Sequence, residues 1–272
     1  MNRKTDMNQK NMEMLKKIRC FLLDMDGTFY LGNRLIEGSL DFIAKLREEG
    51  KEFLFLTNNS SRNGAHYVEK LKGMGCMVEE NRVFTSGQAT ALYLNRTAPG
   101  QRVFLLGNDY LAAEFREYGI QLVEEAPEQV VVGFDTTLTY DKMTKVCDFV
   151  REGLPFIATH PDLNCPTETG FIPDCGAILS FIKASTNRDP DIIVGKPHGE
   201  IVRGILERTG MKKEELAMVG DRLYTDIATG VNHGILSILV LTGETKLEDL
   251  KASPVQPDMV FDSLKDIGEV LG

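Results

Sequence analysis

Tryptophan is absent from the 272 residues, cysteine occurs only five times and histidine four. The cysteines (Cys20, Cys76, Cys147, Cys165 and Cys175) are odd in number and scattered, with no C-x-x-C pair. That excludes a disulfide framework and a zinc ribbon and fits a reducing, cytoplasmic compartment. Positive charge is in deficit: 31 Lys and Arg stand against 40 Asp and Glu, a formal charge of −9. No broad basic surface is available, so nucleic acid is excluded as a partner. No apolar run approaches the ~18–20 residues of a membrane span, so no membrane partner is expected. The segment Met1–Lys17 is polar and lysine-rich without the apolar stretch of a signal peptide. Met7, Met12 and Met14 follow Met1 closely, which leaves the starting methionine open, and residues 1–14 are expected to form a loose tail. Internal repeats and low-complexity blocks are lacking too.

What is present is a globular composition, 42% hydrophobic and 26% charged, long enough for one large domain or two moderate ones. Short apolar runs alternate with amphipathic stretches, the pattern of a parallel sheet covered on both faces, so the class is α/β. Strands are expected at Cys20–Leu23, Phe53–Leu56, Val103–Leu106, Val130–Val132, Phe156–Ala158, Ile192–Val194, Leu216–Val219, Ile235–Leu241 and Met259–Phe261. Ser39 is expected to cap a helix that buries Leu40, Ile43 and Leu46. A second helix carries Met143, Val146, Cys147 and Val150, and a third Ile201, Ile205 and Leu206.

Four of these runs end in polar groups. Phe21–Leu23 runs into Asp24-Met25-Asp26-Gly27-Thr28, two carboxylates where a strand leaves the sheet, the place at which open α/β sheets bind ligands. Turned toward one crevice, the pair would repel without a cation or a shared proton, and a divalent metal is implied. The next run ends in Thr57-Asn58-Asn59-Ser60-Ser61, a string of donors suited to an oxyanion. Gly195-Lys196-Pro197-His198 places a lysine where it can serve as a point charge for phosphate. Gly220-Asp221-Arg222-Leu223-Tyr224-Thr225-Asp226 again pairs acids at a strand end. Taken singly, each also reads as a turn, a helix cap or a surface lysine. Capping alone gives no reason for these particular polar groups to recur at four separate crossovers.

Together the motifs D-M-D-G-T, L-T-N-N, G-K-P and G-D-x-x-x-x-D resemble the four signatures of the haloacid dehalogenase superfamily of phosphohydrolases. The segments around Thr57–Ser60, Ile157–Asp162, Ile172–Ala177 and Gly195–Pro197 are similar to its NagD-type, or 4-nitrophenyl phosphatase, branch. His160 is a departure, since relatives often have Asn before Pro-Asp. The resemblance implies a Rossmann-like parallel-sheet core with an inserted α/β cap, and a phosphatase for a small phosphomonoester. It implies Asp24 as nucleophile, forming an aspartyl phosphate, and Asp26 as general acid and base. It assigns magnesium to the Asp24 side chain, the Asp26 carbonyl and Asp221, with Asp226 orienting ligands behind them. The Thr57 hydroxyl, the Asn58 backbone amide and the Lys196 ammonium would hold the phosphoryl oxygens.

Thr57 follows Asp26 by 31 positions, but Lys196 follows Thr57 by 139, more than ordinary crossovers need. The surplus is expected to be the cap, at 87–176, with the core at 15–86 and 177–272. The loop Thr159–Cys165 would reach the leaving group through His160 and Asp162, and cap residues would select the substrate. A zinc site on His160, Asp162, Cys165 and Cys175 matches no standard ligand spacing. Sugar phosphates, nucleotides, phosphoglycolate and pyridoxal phosphate all present the same group to Asp24, with 4-nitrophenyl phosphate as a generic substrate. A phosphomutase or other phosphotransferase on the same core, or a non-enzymatic phospho-accepting module, are the alternatives. A mutase cap would be expected between Asp26 and Thr57, and a phospho-accepting module would be about half this length. Homo-oligomerisation is left open.

Overall fold

A computed structural model describes residues 13–167 and 169–271. The tail expected at 1–14 lies outside them except for its last two residues, which open a helical turn at 13–17. The strands, in chain order, are β1 (Cys20–Leu23), β2 (Tyr30–Leu31), β3 (Arg34–Leu35), β4 (Glu52–Thr57), β5 (Val83–Thr85), β6 (Arg102–Leu106), β7 (Gln121–Leu122) and β8 (Gln129–Val132). They continue as β9 (Phe156–Ala158), β10 (Asn164–Thr167), β11 (Gly170–Pro173), β12 (Ile192–Ile193), β13 (Leu216–Gly220), β14 (Leu236–Val240) and β15 (Met259–Phe261). All nine expected strands form, with ends moved by a residue at most. The hairpins β2–β3 and β10–β11 and the short strands β5 and β7 were not expected. None of these six strands holds more than two consecutive apolar residues, too little pattern to separate a strand from a loop.

The chain divides into two compact units. The first comprises the described residues up to Leu56, Lys70–Val83 and the chain from Leu206 onward; the second comprises Thr57–Glu69 and Phe84–Ile205. The first is organised on a six-stranded sheet of order β15-β14-β13-β1-β4-β5. β1 pairs in parallel with both β13 and β4, Cys20 standing opposite Leu216 on one side and Glu52 on the other. Every residue of β1 and of β13 is buried, which is why these runs read as continuously apolar rather than alternating.

The helix Ser39–Glu48 packs with Phe42, Ile43 and Leu46 inward, but two expectations about it are corrected. Leu40 is 40% exposed, because the i, i+1, i+4 stripe begins at Phe42. Ser39 is the first helical residue rather than the cap: Gly38 takes that position at φ 81°, and the Ser39 hydroxyl donates instead to the Phe29 carbonyl at 2.8 Å. A Cβ on Gly38 would come within 2.5 Å of the Lys265 Cβ, so the position requires glycine.

The second unit has its own sheet, β12-β9-β8-β6-β7, with every pairing parallel. Its chain order reverses direction between β6 and β8, a topological switch point. Val146, Cys147 and Val150 of the helix Tyr140–Arg151 and Ile178, Leu179 and Ile182 of the helix Cys175–Thr186 close over Phe104, Val130, Val132 and Phe156. Each large side chain removed from water here contributes about 1.5–3 kcal/mol. Ile192, whose run leads to Lys196, belongs to this sheet, opposite Ile157.

Candidate active site

In the first unit β1 and β13 end side by side, Leu23 opposite Val219, so Asp24 and Asp221 leave the sheet as neighbours. The Asp24 amide donates to the Val219 carbonyl at 2.9 Å and extends the ladder by one bond. A π-helical turn over Leu223–Ile227 brings Asp226 back, with its carboxylate accepting from the Arg222 amide at 3.1 Å. Single turns of this kind recur at functional sites. One carboxylate oxygen each of Asp24, Asp221 and Asp226 lies within 4.8 Å of the others.

Glycines make the convergence sterically possible. A Cβ on Gly27, which sits at φ +89°, would stand 2.5 Å from Asp221 Oδ2; one on Gly243 would overlap the same carboxylate, and one on Gly220 would overlap Asp226. The fourth position of D-x-D-G is therefore bare for close approach as well as for its turn. Asp221 accepts from the Thr28 hydroxyl at 3.2 Å and from the Glu244 amide at 2.7 Å.

The acids around it raise the proton affinity of Asp221. Burial first, then Asp24 and Asp226, push Asp221 up to about 7. Asp26 is also raised, chiefly by burial and against the pull of Lys70, whose Nζ lies 4.0 Å from the Tyr30 ring centroid. Burial opposes the charge on Arg222, but Asp24 and Asp226 outweigh it and hold the guanidinium protonated; its Nε is 3.1 Å from Glu244 Oε2. A set of hard carboxylate oxygens gathered within 4.8 Å of one another, in a cradle closed to any Cβ, fits a divalent cation.

The second unit carries Thr57, Asn58 and Lys196. Thr57, the last residue of β4, accepts from the Asn59 amide at 3.1 Å and is in hydrogen-bond contact with the buried Tyr67. Asn59 caps its own turn, accepting from the Ser61 amide at 2.9 Å and hydroxyl at 2.7 Å. The Asn58 side chain accepts from the Lys196 amide at 2.8 Å and donates to the Lys196 carbonyl at 3.0 Å and to Asp162 Oδ1 at 3.1 Å. Lys196 is 2% exposed.

His160 and Asp162 are in the same neighbourhood but differ in access. Asp162 is half-buried. His160 is fully buried, its Nδ1 hydrogen-bonded with Thr159 Oγ1 at 2.9 Å and its Nε2 with Asp174 Oδ1 at 2.8 Å. Burial opposes its charge, but Asp174 outweighs it and raises its pKa. The cluster that forms is His160, Asp162 and Asp174. Cys175 lies beneath Thr159 with its thiol pushed up to about 12, mainly by burial, and is no ready thiolate for zinc.

Sequence reasoning missed Thr28, Lys70, Asp174, Gly243 and Glu244. Thr28 and Asp174 were visible, one directly after D-x-D-G and one as a cap ahead of Cys175. Lys70 and Glu244 had no signal, because their partners lie 44 and 23 positions away.

A haloacid dehalogenase-like hydrolase family model matches residues 21–121 of the chain, and a HAD-hydrolase-like model matches 193–267. The chain is 39% identical over 258 residues to an acid sugar phosphatase of Staphylococcus aureus, covering 94% of this chain and 98% of that one. The solved structure of a 4-nitrophenylphosphatase from Thermotoga maritima superposes with a TM-score of 0.93 at 49% identity, covering 95% and 99% of the two chains. NagD from Escherichia coli K-12 superposes at 0.86 with 32% identity, covering 92% and 98%. The motifs, the parallel core sheet and these relatives agree: the chain belongs to the haloacid dehalogenase-like hydrolases, in their NagD-type branch.

Proposed function

We propose that this chain is a magnesium-dependent phosphatase that hydrolyses a small sugar phosphate or a related phosphomonoester through an aspartyl phosphate on Asp24. It is a phosphoric monoester hydrolase by kinship with the acid sugar phosphatase and the 4-nitrophenylphosphatase. The observation that carries the reading is the gathering of Asp24, Asp221 and Asp226 where β1 and β13 end together. Asp24, the Asp26 carbonyl and Asp221 would hold the ion, with Asp226 supporting them. The ion would supply charge neutralisation for phosphoryl oxygens beside a carboxylate nucleophile.

In the first step an Asp24 oxygen bonds to phosphorus and the bond from phosphorus to the leaving oxygen breaks. The Asp26 carboxyl gives its proton to the departing alkoxide. In the second step Asp26 takes a proton from water, the water oxygen bonds to phosphorus, and the bond to Asp24 breaks to release orthophosphate. The Thr57 hydroxyl, the Asn58 backbone amide and the Lys196 ammonium are assigned to the phosphoryl oxygens, where charge spreads in the transition state.

Substrate choice is assigned to the segment 87–176, the inserted cap, with the core at 15–86 and 177–272. Within it Asp162 takes the contact to the leaving group, and His160, with both ring nitrogens engaged by protein, supports the loop from behind. That the five cysteines form no disulfide supports a cytoplasmic location.

A turnover screen over phosphomonoesters with magnesium, ranked by kcat/KM, tests the substrate class. Acid quenching during turnover, followed by peptide mapping, should place phosphate on the Asp24 peptide. Turnover without any trapped phosphate there, under conditions that preserve acyl phosphates, would remove the covalent step.

A further inference from the structure

We infer that the Asn58 side chain is a positioning group for Lys196, a staple that fixes the lysine's backbone, and takes no part in holding phosphate. The inference rests on the phosphatase reading and assigns one of its residues a second task. A carboxamide has one acceptor oxygen and two N–H donors. At Asn58 the oxygen accepts from Lys196 N at 2.8 Å, one donor meets Lys196 O at 3.0 Å, and the other meets Asp162 Oδ1 at 3.1 Å. The first two bonds close a ring on both peptide groups of one residue 138 positions away, and the third uses the remaining N–H. Only the Asn58 backbone amide is then left to face an anion.

The surroundings are shaped to this contact. A Cβ on Gly195 would stand 2.7 Å from Asn58 Oδ1, 2.7 Å from the Thr159 carbonyl and 2.8 Å from the His160 Cβ, so glycine before Lys196 lets the loop lie against the carboxamide. The Asn58 carbonyl is itself held by the Ser86 hydroxyl. Aspartate in place of Asn58 would keep the oxygen and lose both donors, setting a carboxylate against the Lys196 carbonyl and Asp162. Glutamine would carry the same groups one methylene too far. A lysine stem has four rotatable bonds, and misplacement of about 1 Å in a catalytic group can cost on the order of 10² in rate.

The test is a kinetic cycle of wild type, Asn58→Ala, Lys196→Ala and the double variant, on 4-nitrophenyl phosphate with magnesium. Single-turnover conditions keep severe losses measurable. Asn58→Ala should lower the rate by ~10–10² in the wild-type background and by less than about threefold when Lys196 is already Ala, because the group it positions is gone. Equal losses in both backgrounds would overturn the inference, since a phosphate ligand or a purely structural residue would act regardless of Lys196. Gly195→Ala, which pushes the loop away while leaving Asn58 intact, should show the same dependence on Lys196 and covers the case in which Asn58→Ala does not fold. A wild-type chain inactive on every phosphomonoester would fail the phosphatase reading instead, an outcome distinct from either result of the cycle.

Discussion

Glu114 makes the stability of the second unit depend on pH in a direction opposite to that of most carboxylates. It is 1% exposed on the helix Asp109–Glu117 and accepts from the Thr85 hydroxyl at 2.8 Å and the Gly64 amide at 3.2 Å. A Cβ on Gly87 would overlap its carboxylate, so the helix Ser86–Thr97 lies directly against it. Burial pushes its pKa from 4.5 up to about 7, against the hydrogen bonds from Thr85, Gly64 and Gln88. The folded state therefore binds the proton more tightly than the unfolded chain. Its contribution is fully present below about pH 4.5 and is lost as pH rises through about 7. At about 1.36 kcal/mol per pH unit the loss is about 3 kcal/mol. Glu114→Gln removes the titration and leaves an amide N–H facing donors, a fixed cost of about 1–2 kcal/mol. Urea unfolding of both proteins from about pH 4.5 to about pH 9 should show the variant less stable at the acid end and overtaking the wild type toward the alkaline end. The other titrating groups cancel in the difference. A difference that stays constant across that range, within about 0.5 kcal/mol, would refute a raised Glu114 pKa.

The sheet strands were legible wherever three or more consecutive apolar residues were buried, as in β1, β8 and β13, because burial on both sides leaves no alternation to misread. The phase of the helix Ser39–Glu48 was misjudged at Leu40 because the choice between Leu40 and Phe42 as the start of the stripe depends on what the helix packs against. The spacing from Thr57 to Lys196 announced an insertion, yet no local pattern told that Ile192 would pair with Ile157. Within the candidate site, acids at strand ends could be read because register alone brings Asp24 beside Asp221. The glycine cradle, the Glu244 amide and the engagement of both His160 nitrogens are products of distant packing and carry no periodicity. Asn58 shows the limit most directly: its residue type suited an oxyanion loop, whereas its side chain is spent on Lys196 and Asp162.

Three further outcomes follow from the same geometry. Chelation should abolish turnover and magnesium restore it, with calcium restoring little because its looser coordination disturbs in-line attack; full hydrolysis of 4-nitrophenyl phosphate in excess chelator would contradict the ion. His160→Ala should cost about 2 kcal/mol or more in urea unfolding by leaving the Asp174 carboxylate in the interior without its imidazole partner, and a loss below about 0.5 kcal/mol would mean that the pair carries no weight. Asp24→Asn should fold with no turnover, whereas Asp26→Asn keeps the nucleophile and loses only proton transfer, so its cost must depend on the substrate. A sugar alkoxide is a poor leaving group and needs the proton as its bond to phosphorus breaks. 4-Nitrophenolate leaves nearly unaided. Asp26→Asn should therefore lose ~10²–10⁴ in kcat on a sugar phosphate and at least ~10-fold less on 4-nitrophenyl phosphate, which steepens the dependence of rate on leaving-group pKa across a series of aryl and alkyl esters. Equal losses along that series would assign Asp26 to holding the ion or the fold, and the proton donor would have to be another group.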